Sequence, residues 1–478
     1  MGKNTTTFES IKPGKQDDFQ TPRAFRETDS WVRQISLAEP SLEDNTGDAD
    51  RLSSALKGEL KIDAPVEIDL KLMRLLPGYI RTHSHKLRCI LFKDRGRYVL
   101  AGVSDGLGLR PVTGIAVDLG TSRVVVRLID LENKEVLAES AFDNPQGTVG
   151  PDILVRIHHA DTPGGLDELN DLIISGLNRM IKSLCEQCAI ESNDIFLVTV
   201  SGNTAMTHLF LKLNPRWIIR EPYIPAVNRP PLVNATELGI SVNSSAKVMA
   251  FPNIGSYFGG DLISGIIYSG IHLREDTSIM VDVGTNAEVV LGNKHWLIAC
   301  AGAAGPALEG GVTRMGMMAD PGVIDRVKID PETLAFHIHT IDEKPPVGIC
   351  GSGLIDLAAN LFICKMIDIR GKFVPSVCGD RLKEKDGIHY LVVVPEADSE
   401  SGKALTFSQP DLESLIRSKA AMFTILETIT GTVGITLKEL SNFYVAGTFG
   451  SFIDPRSAIT IGMLPDLPIE SYQPLGNS

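Results

Sequence analysis

The sequence predicts an α/β protein whose main body is built from two related halves, preceded by a small α/β module. Three observations carry that prediction. A short pattern occurs twice, as Gly114-Ile-Ala-Val-Asp118-Leu-Gly120-Thr121-Ser122 and as Ile279-Met-Val-Asp282-Val-Gly284-Thr285-Asn286. From residue 113 onward, apolar β-rich runs alternate with amphipathic stretches of helical period, the spacing of layered α/β architecture. The chain's 478 residues, 43% hydrophobic and 22% charged, suffice for several domains around sizeable cores.

Taken in order, residues 1–50 are polar, carry clustered charges and show little periodicity, which predicts a flexible arm ending in a linker. Residues 51–112 predict a small α/β domain. Its expected parts are helices over 51–56 and 69–76 and strands over 87–92 and 98–101. Residues 113–478 form the core, with subdomains of about 113–275 and 276–478. In each copy of the repeated pattern an apolar strand runs into an aspartate, turns at Gly-Thr, and returns through a second β-rich run, 124–129 or 287–291. Two such hairpins at domain-scale separation imply similar halves facing each other across a cleft.

A hairpin tip of this kind has a definite chemistry. Glycine lets backbone N–H groups approach an anion, the Thr or Ser hydroxyl adds a donor, and the aspartate can hold hydrated Mg²⁺ against phosphate oxygens. Asp and Gly are also ordinary turn residues, so either copy alone reads equally as a plain hairpin. Three further segments bear on the same chemistry. Gly259-Gly260-Asp261 opens a helix of small residues, and its carboxylate either orients a water for attack on a γ-phosphate or caps the helix. Cys350-Gly351-Ser352-Gly353 opens an apolar helix with free N–H donors. Phe443-Tyr-Val-Ala446-Gly447-Thr448-Phe449-Gly450 is a strand ending in a glycine turn, a surface for a flat purine or a simple strand-to-helix connection.

In sequence these pieces run phosphate loop, connecting helix, phosphate loop, connecting helix, adenosine loop. That is the order of the actin-like (ribonuclease H-like) ATPase fold shared by actin, heat-shock chaperones and sugar kinases. On this pattern Asp118, Gly120, Thr121 and Ser122 meet the phosphates and the Mg²⁺ shell, opposite Asp282, Gly284, Thr285 and Asn286. Asp118 and Asp282 are the expected metal-side carboxylates, acting largely through water. Asp261 is the first choice for orienting the attacking water and Glu309, in the glycine-rich stretch 301–311, the second. Gly447, Thr448 and Gly450 are expected to border the adenosine, with Gly351 and Gly353 alongside.

The wording around these loops narrows the family. Val117-Asp-Leu-Gly-Thr-Ser122, Asn144-Pro-Gln146, Val200-Ser-Gly-Asn203-Thr204-Ala-Met-Thr-His208, Phe251-Pro-Asn-Ile-Gly255, Ala299-Cys-Ala-Gly302-Ala-Ala-Gly305-Pro306-Ala-Leu-Glu309-Gly310 and Ile461-Gly-Met-Leu-Pro465-Asp-Leu-Pro468 together resemble the reductive activators of corrinoid proteins. The resemblance runs from about Ser41 to the C-terminus. It implies ATP-dependent reactivation of a corrinoid (cobalamin-binding) methyl carrier of a methyltransferase system, by one-electron reduction of Co(II) to Co(I). It also implies ATP and Mg²⁺ as cofactors and a homodimer. Such activators typically carry an iron–sulfur domain, whereas residues 1–40 hold no cysteine and the chain stops at Gly476-Asn-Ser478, where relatives continue. The expectation is therefore a chain without an iron–sulfur cluster that is either a truncated form or takes its electrons from a separate ferredoxin-like donor. A small-molecule kinase of the sugar-kinase type and a regulatory ATP-binding module without turnover share the same cleft and remain as alternatives.

Composition excludes other classes. A net charge of −13 argues against non-specific nucleic-acid binding, which needs a basic surface to displace counterions. The N-terminus has no apolar run after its charges and no segment is apolar enough to span a bilayer, so a cytoplasmic protein is expected. Seven scattered cysteines suit reduced thiols. Cys185 and Cys188 share a helix face, yet a zinc or iron–sulfur site needs further ligands, so they read as small helix residues. His208, flanked by Met206 and Leu209, reads as packed rather than as a corrinoid ligand.

Overall fold

The computed structural model describes residues 31–283, 287–302, 313–447 and 453–476. They group into two compact units, one ending at Ser264 and the other beginning at Gly265.

The first unit opens with β1 (Val32–Ser36), α1 (Asp48–Leu60), β2 (Val66–Glu67), α2 (Leu70–Thr82), β3 (Lys86–Asp94) and β4 (Arg97–Asp105), arranged as a sheet in the order β1-β3-β4-β2. The stretch 31–50, expected to belong to a flexible arm, thus contains a strand. Its five residues are too few to show a period, and they are specified by antiparallel pairing with β3. The helix expected to stop at residue 76 continues through Pro77 to Thr82. Burying Leu72, Leu76 and Ile80, at roughly 1.5–3 kcal/mol each, outweighs the ~3 kcal/mol cost of an interior proline. β3 is covered on both sides: Leu87, Cys89 and Leu91 face the two helices, while Ile90 and Phe92 pack with Val112, Leu131, Phe196 and Leu197. A strand buried on both faces reads as a continuous apolar run.

Phe196 and Leu197 belong to a second sheet in the same unit, and Val112 and Leu131 directly flank two of its strands. Its elements are β5 (Thr113–Leu119), β6 (Arg123–Asp130), β7 (Val136–Asp143), α3 (Ile153–Ala160), α4 (Gly165–Cys188), β8 (Ile195–Gly202), α5 (Thr204–Phe210), β9 (Val233–Asn234) and β10 (Lys247–Ala250). Strand order is β7-β6-β5-β8-β10-β9. β5, β6 and β7 form an antiparallel meander, and β8 and β10 then add parallel to β5. Helix α6 (Gly260–Ser269) follows.

The second unit contains β11 (Ser278–Val283), β12 (Ala287–Asn293), β13 (Trp296–Gly302), β14 (Val323–Ile329), β15 (Phe336–Thr340), β16 (Gly348–Ile349), α7 (Gly351–Ile363), α8 (Pro375–Cys378), β17 (Leu382–Lys385), β18 (Ile388–Val394), β19 (Leu405–Ser408), α9 (Gln409–Thr432), β20 (Asn442–Ala446) and β21 (Tyr472–Gly476). Its main sheet has the order β13-β12-β11-β20-β21, again an antiparallel meander extended by two parallel strands. The order and direction of β7-β6-β5-β8-β10 are repeated strand for strand. The repeat seen in eighteen or so residues of sequence is thus a duplication of whole sheets.

Candidate active site

Each duplicated sheet carries its aspartate on the central strand, one residue before the strand ends. Asp118 lies on β5 between Val125 of β6 and Ser201 of β8; Asp282 lies on β11 between Glu288 of β12 and Ala446 of β20. Both are half-buried. The apolar strand carries each carboxylate to the end of the strand, and in the first unit the glycine turn follows.

In the first unit that turn, Gly120-Thr121-Ser122, is held from three sides. A methyl group on Gly120 would stand 2.3 Å from the Arg123 carbonyl oxygen, so the turn accepts only glycine. The Asn144 side chain donates to the Gly120 carbonyl at 2.9 Å and its backbone N–H donates to the Ser122 carbonyl at 2.8 Å. The Asn203 amide donates to the Thr121 hydroxyl at 3.1 Å, while its own oxygen caps α5 by accepting from Met206 N–H at 2.9 Å. Beside the turn, the end of β8 and the start of α6 meet backbone to backbone. A Cβ at Gly202 would come within 2.7 Å of the Leu119 carbonyl, and one at Gly259 within 2.4 Å of Asn203 Cα. This glycine-lined contact brings Asp261 to the same edge as Asp118.

Asp261 sits in the first turn of α6. Its Oδ1 accepts from the adjacent Leu262 N–H at 2.8 Å. Burial pushes its carboxyl up to about 6; the Asp118 carboxylate adds to the rise and the Leu262 hydrogen bond opposes it. A carboxyl raised to about 6 by burial suits proton acceptance, and the half-buried carboxylate beside it suits cation holding.

In the second unit Gly447 follows β20 with φ +82°, a left-handed conformation that favours glycine, and a Cβ there would lie 2.8 Å from Asp282 Oδ1. Gly202, the last residue of β8, and Gly447, the residue after β20, hold matching places at the end of the strand parallel to the central one. Gly351 and Gly353 open α7; a Cβ at Gly353 would meet the Ile324 carbonyl at 2.5 Å, so this glycine seats α7 on β14. Gly284, Thr285, Asn286, Glu309, Thr448 and Gly450 lie outside the described residues.

Asn144 and Asn203 stood in the sequence only as wording. For Asn203 the signal was the match in wording between Val200-Ser-Gly202-Asn203-Thr204 and Val445-Ala-Gly447-Thr448 in the two halves. Asp356 was likewise unassigned. It is buried on α7, its Oδ1 has no hydrogen-bond partner among the described residues, and burial raises its carboxyl to about 6 despite a hydrogen bond from Ser457. His208 is fully buried, as expected from its flanks.

The donor set fits a phosphate ester with a hard cation. It offers turn backbone and hydroxyls for the anion and carboxylates for Mg²⁺. Residues 27–107 match the RACo linker region, 113–274 the RACo middle region and 276–478 the C-terminal domain of RACo, the ASKHA domain. A solved structure titled reductive activator for corrinoid, iron-sulfur protein superposes with a TM-score of 0.83 at 36% identity, over 95% of this chain and 72% of that one. The chain belongs to the RACo family, the reductive activators of corrinoid proteins. The ASKHA match gives its core the actin-like fold. Among curated RACo relatives, the corrinoid activation enzyme RamQ of Eubacterium limosum is 30% identical over 77% of this chain and 63% of its own length. The [Co(II) methylated amine-specific corrinoid protein] reductase of Methanosarcina barkeri is 28% identical over 74% of this chain and 66% of its own length. The chain thus spans just under two thirds of the length of these two relatives. No described helix is long and apolar enough to cross a membrane.

Proposed function

We propose that this chain uses ATP to drive one-electron reduction of Co(II) to Co(I) in a corrinoid methyl-carrier protein, with electrons from a separate, ferredoxin-like donor. The observation that carries the reading is the similarity to a reductive activator along 95% of the chain. The named targets of the relatives differ, but each is a corrinoid protein, and that class is the proposed partner. Among the described residues Cys89, Cys185, Cys350, Cys364 and Cys378 are buried thiols, and Cys188 and Cys300 are half-buried. Burial pushes Cys89 up to about 12 and also raises Cys185, Cys300, Cys364 and Cys378. A homodimer and a cytoplasmic location complete the reading, as does a boundary between subdomains near residue 275.

Asp118, Gly120, Thr121 and Ser122 in one half and Asp282, Gly284, Thr285 and Asn286 in the other are the proposed phosphate loops. Bound Mg²⁺ would neutralise phosphate oxygens. Asp261, ionised above about 6, accepts the proton of the water that attacks the γ-phosphorus as ADP leaves. Gly447, Thr448 and Gly450 border the adenosine. Reducing Co(II) is uphill for an ordinary donor, and a gap of roughly 200 mV is about 4.6 kcal/mol for one electron. Binding the corrinoid protein more tightly in a strained, more easily reduced form supplies energy of that size when closure is coupled to ATP.

The test is the anaerobic visible spectrum of a Co(II) corrinoid protein with a low-potential reductant. Growth of the Co(I) band only when both this chain and Mg·ATP are present is the expected result. An unchanged spectrum while ATP is demonstrably bound overturns the proposal.

A further inference from the structure

The first unit exposes an aromatic surface outside the nucleotide loops. Trp217, Tyr223, Ile224, Ile254 and Tyr257 are each between 44% and 62% exposed. They are neighbours: the Tyr223 and Tyr257 rings lie 6.2 Å apart, the Ser256 hydroxyl donates to the Tyr223 carbonyl, and Tyr223 N–H donates to Arg220 O at 2.6 Å. Arg216 and Arg220 sit over the Trp217 ring, 5.4 and 5.9 Å from its centroid. Large exposed apolar side chains grouped in this way mark interaction surfaces.

This surface is wired to the phosphate loop by one short helix. Asn203, which caps α5, donates to Thr121 of the loop. On the next residue, the Thr204 hydroxyl donates to the Gly255 carbonyl at 3.1 Å, between Ile254 and Tyr257. One turn on, His208 Nδ1–H donates to Thr204 O at 2.6 Å, and its Nε2 accepts the Ala226 N–H at 3.0 Å, fixing the segment that carries Tyr223 and Ile224. That pair of bonds requires neutral imidazole, which burial favours. Tyr257 is also only four positions before Asp261.

We propose that α5 is a relay between the phosphate loop and a docking surface formed by Trp217, Tyr223, Ile224, Ile254 and Tyr257, and that the corrinoid protein docks there. The choice of occupant rests on the function proposed above and on charge. Arg216 and Arg220 share a single carboxylate, Asp161, leaving a positive rim on a chain of net charge −13. The complementary partner is a folded protein presenting an apolar patch edged with carboxylates.

Two measurements test the two parts. Replacing Trp31 and Trp296 by Phe leaves Trp217 as the sole tryptophan. Saturating Mg·ATP shifts its emission, and in the unsubstituted chain slows amide exchange over 217–226 and 254–258; Asn203→Ala, titrated to its own saturation with Mg·ATP because this side chain holds the loop, loses both responses. A response that never appears at saturation, or that survives Asn203→Ala, overturns the relay. For docking, Tyr257→Ala and Arg220→Glu each weaken corrinoid-protein binding at least about tenfold, the loss expected at an interface hot spot. Unchanged affinity overturns the docking surface, as does an effect confined to self-association of this chain. If the unsubstituted chain binds no corrinoid protein, the occupant falls with the functional reading, while the Trp217 response, which needs only nucleotide, decides the relay separately.

Discussion

At the scale of single residues, the proposed chemistry rests on carboxylates whose surroundings set them apart. Asp261 stays neutral up to about 6 because burial disfavours its charge. Its basic form therefore grows as pH rises, and steady-state ATP turnover should climb between pH 5 and 7 with a midpoint near 6. Asp261→Asn should lower kcat by 10²–10³, the usual weight of a positioned base, leave ATP affinity within a few-fold, and abolish that limb of the profile. Stability runs the other way. A raised carboxyl costs folding energy above its unfolded value, so the same variant should unfold at higher urea than the unsubstituted chain at pH 7.5, and the difference should vanish near pH 4. Gly447 is a different kind of residue, needed for what it lacks. Gly447→Ala places a methyl against Asp282 and forces a left-handed backbone. It should cost about 1–2 kcal/mol in urea unfolding and weaken Mg·ATP in a calorimetric titration.

At the scale of elements, the turn between β5 and β6 is shaped by partners far along the chain. Asn144 holds two of its three residues through their carbonyl oxygens. Asn144→Ala leaves the Gly120 carbonyl without its donor, which should cost about 1–3 kcal/mol in urea unfolding. Titration should show ATP affinity falling about tenfold, with kcat at saturation less affected, because the loop is loosened while Asp261 stays in place. A selective fall in kcat at unchanged affinity would refute this division of labour.

At the scale of the molecule, the small N-terminal sheet and the middle sheet share one compact unit. Their junction is partly polar. Buried Lys247 on β10 pairs with Asp69, whose other oxygen accepts from Leu72 N–H at 2.7 Å and caps α2. Removing that carboxylate takes the charge partner from a buried cation, whose other bond is to Asn234 Oδ1 at 2.6 Å, and uncaps a helix together. Asp69→Ala should destabilise the unit by roughly 3–5 kcal/mol, measured by urea unfolding, and should shift fluorescence and circular-dichroism transitions equally if the two sheets unfold as one.

The sequence by itself determined the α/β class, the two aspartate–glycine hairpins, the long helix ending at Cys185 and Cys188, and the family. Those signals are local: strand period, turn chemistry and motif wording all lie within a few residues of one another. It underestimated the ends of elements held by remote contacts. β1 exists because β3 pairs with it, and α2 passes Pro77 because the sheet beneath buries Leu76 and Ile80. Only the tertiary structure decided that the repeat is a duplication of entire sheets, that Asn144 and Asn203 brace the turn between β5 and β6, and that Asp261 is desolvated beside Asp118. Each of these depends on groups separated by tens of residues, whose hydrogen bonds and shared burial arise only after the chain has packed.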